Sequence, residues 1–428
     1  MHRLLLGILV LVAGLAIVPA AQARLKTGSC LVPNVSSTCA VWTAKVTMVG
    51  DGDTIYVDVD GDGSSRRYSV RMTGINATEQ TVYAVNPAQR RGECHALEAT
   101  ARLEQLIRKS HGRVRLAAQD PASHSRQRMR RWVAVKRNGR WQDAGRILVS
   151  EGLALWLPSR VENAWNTEYS TLAQRAATRG RGLWDTDYCG VGPSQASPLQ
   201  LWANTDDDER GNDDVNEEWI KIRNLDPVNA VPLGGWWVRD SQLRRYTIPS
   251  WVTLPPGETL TVFVGEGEDT FTELFWGLRN AVFDNAGAGE LGLGDGAYLF
   301  DPQGDLRAWM QYPCRLNCVD PNTGAIEISA RDRRPEHVTL RNVSAQAVDL
   351  ATYRLSSPPF SYAFSRDAVL NPGEEMEVEI EGDPAQDTRL LKYWGETGPI
   401  LDNRGDVIRL ETFTGIQIGC YAYGDKVC

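Results

Sequence analysis

The sequence predicts a β-rich, multidomain chain: a small β-barrel carrying helices, followed by two β-sandwiches. Three observations lead there. Residues 44–136 carry short alternating strand-like runs interrupted by one amphipathic helix. Residues beyond about 198 are strand-like and repeat themselves at a spacing of about 117 residues. Between these regions, residues 191–198 (Val-Gly-Pro-Ser-Gln-Ala-Ser-Pro) read as a linker. The length of 428 residues, 42% hydrophobic and 23% charged, also exceeds what one core of ordinary size accommodates.

The first 23 residues read as an export signal. Met1-His2-Arg3 gives a positive start, Leu4 to Val18 is apolar, and Ala21-Gln22-Ala23 is a small-x-small cleavage pattern. The apolar run is short for a membrane span, and no second one follows. The expectation is a secreted chain starting near Arg24, with residues 24–40 as an N-terminal arm and no transmembrane helix in the mature protein. The competing reading is an uncleaved anchor.

Eight cysteines, Cys30, Cys39, Cys94, Cys189, Cys314, Cys318, Cys420 and Cys428, fit that compartment as disulfides within domains. Zinc at Cys314 and Cys318 is the weaker alternative, because the chain has five histidines and none lies near that pair.

Charge is split along the chain. Residues 24–190 carry +9 and residues 191–428 carry −18, giving −8 with Arg3. The basic half suits a polyanion such as DNA or RNA. The acidic half excludes a chain that wraps nucleic acid along its whole length. It suits solubility outside the cell, or an extracellular or cell-wall ligand of unidentified chemistry.

In the first half, Ala44–Val49, Thr54–Val59 and Arg67–Thr73 alternate like strands. Ala96 to Lys109 places Ala96, Ala99, Leu103, Leu106 and Ile107 on one helical face. Arg113–Ala118 and Arg131–Lys136 read as strands, Asn138-Gly139 as a turn, and Asp143–Ser150 and Thr167–Arg179 as helices.

In the second half, WIKIRN at Trp219–Asn224 returns as HVTLRN at His337–Asn342. VPLGGWWV at Val231–Val238 returns as VDLATYRL at Val348–Leu355, and LPPGETLTV at Leu254–Val262 as LNPGEEMEV at Leu370–Val378. FDNAGAGELGL at Phe283–Leu293 returns more loosely as LDNRGDVIRL at Leu401–Leu410. The period is too long for a solenoid unit and suits two copies of an all-β sandwich, at 199–316 and 324–428. Trp219, Trp236 and Trp237 read as sandwich core rather than a sugar platform. These blocks resemble the lamin-tail domain, and the resemblance implies immunoglobulin-like sandwiches that serve for binding or spacing on exported enzymes. Tyr353 replaces the Trp of the first copy.

The stretch from Val49 to Gln80 is dense in opposite charges. Its middle, Asp58 to Ser65, reads as a solvated hairpin turn. Asp58, Asp60 and Asp62 imitate half an EF-hand loop, but the twelfth position is Ser69 and the match fails there. Its two ends hold what phosphodiester cleavage needs. Asp53 and Asn76 offer oxygens to a divalent metal, Glu79 is a carboxylate able to activate water, and Arg71 is a cation for a developing phosphate charge.

The pattern DGDT, then VR-x5-N-x2-E, resembles the staphylococcal nuclease-like (thermonuclease) family. So do GECHALEATARLEQL at Gly92–Leu106, VSEGLALW at Val149–Trp156 and RGRGLWD at Arg179–Asp185. The resemblance covers residues 41–190 and implies an OB-type barrel with three helices. It further implies calcium at Asp53, Asn76 and the Ala77 carbonyl, and Glu79 as general base. Arg71 would be one phosphate-binding arginine and Arg130 the second, with Arg131 as the alternative. Arg130 keeps ungapped spacing to the Asn138-Gly139 turn; Arg131 needs a gap and turns Lys136 inward. Arg126 and Arg128 are expected to contact substrate phosphates, the alternative being that they are simply solvated. Asn76 stands where the family carries Asp, which weakens the metal site. His95 reads as structural. The expectation is an exported, calcium-dependent nuclease acting on DNA or RNA outside the cell. The alternative is a nucleic-acid-binding or envelope-associated protein with little or no catalysis.

Overall fold

A computed structural model describes residues 26–30, 37–186, 189, 198–204, 215–283, 293–316, 318–320, 322–365, 368–412 and 416–428. The expected signal segment, most of the linker and most of the Phe283–Leu293 block lie outside the described residues.

Five strands close a barrel in the N-terminal region. They are β1 (Thr38–Val49), β2 (Thr54–Val59), β3 (Arg67–Met72), β4 (Arg113–Ala118) and β5 (Arg128–Arg137). The neighbours run β1-β2-β3-β5-β4, and β4 returns to β1, so no barrel edge stays open. β3 and β5 pair in parallel with Arg71 opposite Arg130. β1 starts six residues before the alternation of the sequence begins. Its first residues pair with Lys26–Ser29, and the Cys30–Cys39 disulfide holds that addition.

Helix α1 (Ala96–Lys109) buries the apolar face read from the sequence. Asp143 caps α2 (Ala144–Ser150) by accepting from Arg146 N at 3.0 Å, and α3 (Asn166–Thr178) packs on α2. The turn after α2 and the turn after α3 meet backbone to backbone. A Cβ at Gly152 (φ 74°) would lie 2.0 Å from Arg181 O, so only glycine fits there.

Two sandwich-like units follow, each of two four-stranded sheets. In the first, one sheet orders β6 (Leu199–Asn204), β7 (Trp219–Asn224), β10 (Thr259–Phe263) and β11 (Glu273–Phe275). The other orders β9 (Arg245–Thr247), β8 (Trp237–Arg239), β12 (Asp295–Phe300) and β13 (Leu306–Tyr312). The second unit repeats this plan. Its first sheet orders β14 (Ile326–Arg331), β15 (His337–Asn342), β18 (Glu375–Glu381) and β19 (Leu391–Glu396). Its second sheet orders β17 (Phe360–Ala363), β16 (Tyr353–Ser357), β20 (Val407–Thr412) and β21 (Gln417–Ala422). Each copy even keeps the same parallel pair, β10 with β11 and β18 with β19.

The barrel and the first sandwich share one apolar core. Trp237, Tyr298, Phe300 and Leu306 of the sandwich join the barrel's own core residues. Trp184 packs edge-on against Trp309 at 5.1 Å between ring centres. Gln174 of α3 donates to Pro313 O at 2.9 Å and accepts from Arg315 N at 2.7 Å. The second sandwich has its own core.

All eight cysteines are paired: Cys30–Cys39, Cys94–Cys189, Cys314–Cys318 and Cys420–Cys428. Four disulfides fit an oxidising compartment. Among the described residues, no helix is long and apolar enough to cross a membrane.

Candidate functional site

A cavity of about 1030 Å³ opens where the ends of β2, β3 and β5 meet the first sandwich. From the barrel it is lined by Asp51, Arg71, Glu79, Arg126, Arg128 and Arg130, and from the sandwich by Gln242, Leu243 and Arg244.

Asp53 sits just before β2, where the chain leaves a turn braced by its own side chains. Asp53 N donates to Asp51 Oδ1 at 3.1 Å, and Thr54 Oγ1 donates to Asp53 Oδ1 at 3.0 Å. Arg71 reaches across from β3 and pairs with Asp53, Nη1 to Oδ1, at 2.6 Å. Both groups are buried. Burial pushes the Asp53 carboxyl up to about 7 against the pull of Arg71, with Asp51 adding to the rise.

The other guanidinium nitrogen of Arg71, Nη2, is buried and has no hydrogen-bond acceptor among the described residues. Arg71 as a residue lines the cavity wall, and a fixed guanidinium there is suited to an anion.

Asn76 and Ala77 close the other side of Asp53. The short strand Ile75–Asn76 pairs with Leu155–Trp156, which fixes Asn76 in the interior. Asp53 Oδ2 accepts from Ala77 N at 2.9 Å and from Asn76 Nδ2 at 3.4 Å. Asn76 Oδ1 in turn accepts from Nη2 of Arg239, a residue of β8 in the first sandwich, at 2.9 Å.

Glu79 stands at the cavity mouth with its surface exposed, and its backbone N–H donates to Glu93 Oε2 at 3.0 Å. Neighbouring protein still desolvates its carboxyl and raises its pKa above the ordinary value. Arg71 opposes that rise, Asp51 and Glu93 add to it, and Arg128 opposes it again.

The structure places the expected arginines on two different faces. Arg128 and Arg130 alternate along β5 onto the cavity side, and Arg128 Nη1 donates to Thr54 Oγ1 at 3.2 Å. Arg126, at a left-handed φ of 55°, also lines the cavity. Arg131 points the other way. Its guanidinium donates to Pro121 O at 2.7 Å and Ser123 O at 3.2 Å and lies 4.7 Å over the Trp42 ring. The alternative assignment of Arg131 to the site is therefore corrected: strand alternation turns it into a buried brace.

Calcium is the cofactor that the nuclease resemblance implies, and the side-chain oxygens of Asp53 and Asn76 do not fit it. A calcium ion takes about six to eight oxygen ligands. Here both Asp53 oxygens and Asn76 Oδ1 already accept from N–H donors, two of them guanidinium groups. Ala77 meets Asp53 through its amide N–H.

A second grouping, Cys94, His95 and Asp305, brings ligand atoms within 4.8 Å of one another. The Cys94 sulfur is committed to its disulfide with Cys189, and His95 is a buried residue at the start of α1, in line with a structural role.

Sequence reasoning missed Arg239 and the Gln242–Arg244 wall. A signal for Arg239 existed. At the repeat spacing Arg239 aligns with Ser356, so the first copy carries a buried cation where the second carries a small neutral residue.

Residues 202–314 match the family model of the Lamin Tail Domain. That match spans the first sandwich, about a quarter of the chain, and agrees with the lamin-tail resemblance read there. The comparison with curated proteins returns no match.

Proposed function

We propose that the N-terminal barrel is of the staphylococcal nuclease-like, OB-type class and hydrolyses phosphodiester bonds of nucleic acid outside the cell. The observation that carries this reading is a cavity lined by Arg71, Arg126, Arg128, Arg130 and Glu79. Fixed cations bind a phosphate and stabilise the charge that grows on it at the transition state. Glu79 accepts a proton from water as the water oxygen bonds to phosphorus. The opposite phosphorus–oxygen ester bond breaks, and the leaving oxygen takes a proton from solvent. Arg71 and Arg130, facing each other on paired strands, are the charge-stabilising pair. Arg126 and Arg128 hold flanking phosphates. The basic charge of residues 24–190 supports a polyanionic substrate. The immunoglobulin-like sandwiches would attach or orient this unit outside the cell.

The test is incubation of the purified full chain with plasmid, single-stranded DNA and RNA, with added calcium and with chelator. Strand cleavage in either condition is the expected result. Salt-sensitive retention of nucleic acid with no cleavage in any condition would replace this reading with that of a binding protein.

A further inference from the structure

Resting on the phosphodiesterase reading, we propose that Arg239 of the first sandwich occupies the cation position of this cleft, so that the site needs no divalent metal. Asn76 joins the two domains. Its amide is bonded on both sides: Nδ2 faces the Asp53 carboxylate at 3.4 Å and Oδ1 faces the Arg239 guanidinium at 2.9 Å. Only an amide serves both partners, because a carboxylate has no hydrogen to donate toward Asp53. Asn76 therefore bridges an anion of the barrel and a cation of the sandwich.

Arg239 is held in that position. Its Nε donates to Asp240 O at 3.0 Å, and its guanidinium lies 5.9 Å from the ring centres of Tyr298 and Phe300. Both rings belong to the shared core between barrel and sandwich. Arg239 is itself only 9% exposed. A charge built into the interface in this way is fixed by the docking of two domains.

Electrostatics point the same way. Asp53 and Asp51 are both buried here, and Arg71 and Arg239 place two guanidinium groups around Asp53 and Asn76. Those two cations already match the two buried carboxylates, and a divalent ion among them would add two further positive charges beside the guanidinium groups, where like charges repel. The arrangement stays near balance without the ion. Arg239 thus acts as a positioning residue: it orients Asn76, which orients Asp53, which holds Arg71 at the cavity wall through Nη1.

The experiment uses the full chain. Calcium uptake is measured by titration calorimetry and by terbium luminescence, and cleavage is measured in calcium and in chelator. The expected result is no saturable uptake up to millimolar metal and cleavage rates within about twofold in the two conditions. Arg239→Ala is expected to lower the rate by on the order of 100-fold, the scale of one preorganised electrostatic contact, with partial recovery in Arg239→Lys. Circular dichroism confirms that each variant is folded. The measurement on the unsubstituted chain does not depend on any variant folding. Metal-dependent cleavage, saturable calcium uptake by the unsubstituted chain, or an unchanged rate in folded Arg239→Ala would overturn the proposal.

If no condition gives cleavage, the phosphodiesterase reading fails and metal uptake still decides the role of Arg239. Uptake gained by the double variant Asn76→Asp, Arg239→Ala supports Arg239 as occupant of the cation position. No gain in that folded variant overturns it.

Discussion

At the scale of single residues, the site is a short relay of opposite charges. Arg239, Asn76, Asp53 and Arg71 are joined in that order by hydrogen bonds. Glu79 stands apart from the relay, with its carboxylate open to the cavity. That separation decides which substitution is informative. Removing the Arg71 side chain would leave Asp53 buried without its partner, at a cost of about 3–5 kcal/mol in stability. Loss of activity in that variant would mix chemistry with unfolding. Glu79 carries no such structural charge. It also has a pH signature. A general base works only when ionised, and burial raises the Glu79 carboxyl above its ordinary value. On acidification kcat/KM should therefore fall with a midpoint above about 4.3, the ordinary glutamate value. A pH–rate profile measures it. A midpoint at or below that value would remove Glu79 from the role of base.

At the scale of elements, the barrel strands and helices follow their sequence periodicity closely. The Ala96–Lys109 helix is legible from its apolar face alone, because that face is the one buried. Turn geometry is legible where glycine is obligatory. Gly152 and Gly182 occupy left-handed conformations, and a Cβ on either would collide with the backbone of the other turn. Gly152→Ala should destabilise the chain by about 2 kcal/mol or more, because the strain combines a forbidden φ with a backbone clash. Thermal unfolding reads that loss directly, and an unchanged midpoint would mean that the two turns do not lock together. The hairpin tip from Asp60 to Ser65 is exposed, as its Asp-Gly composition implies, while Asp58 and Val59 are half-buried. Asp60 there pairs with Arg113, a surface contact of small energetic weight. What the element pattern did not reveal is the direction of Arg131. A run of arginines in a strand gives two faces, and the choice between them depends on tertiary neighbours such as Trp42.

At the scale of the whole molecule, the first sandwich packs against the barrel and walls its cavity. The linker composition suggests two separate bodies, yet Trp184, Trp237, Tyr298 and Phe300 form one shared core. This was not legible because packing between domains leaves no periodic trace in either one. The repeat held the nearest clue: the two sandwiches share their strand order but differ at Arg239 and Ser356. Only the first lends residues to the cavity among those described. On the proposed function, phosphodiester hydrolysis occurs in this cleft with Glu79 as the base. The most direct measurement is the initial rate of DNA cleavage by the full chain and by Glu79→Gln, paired with thermal unfolding of both. The account predicts a loss of at least about 100-fold in rate with an unchanged unfolding midpoint. Full activity in the folded Glu79→Gln chain would contradict it.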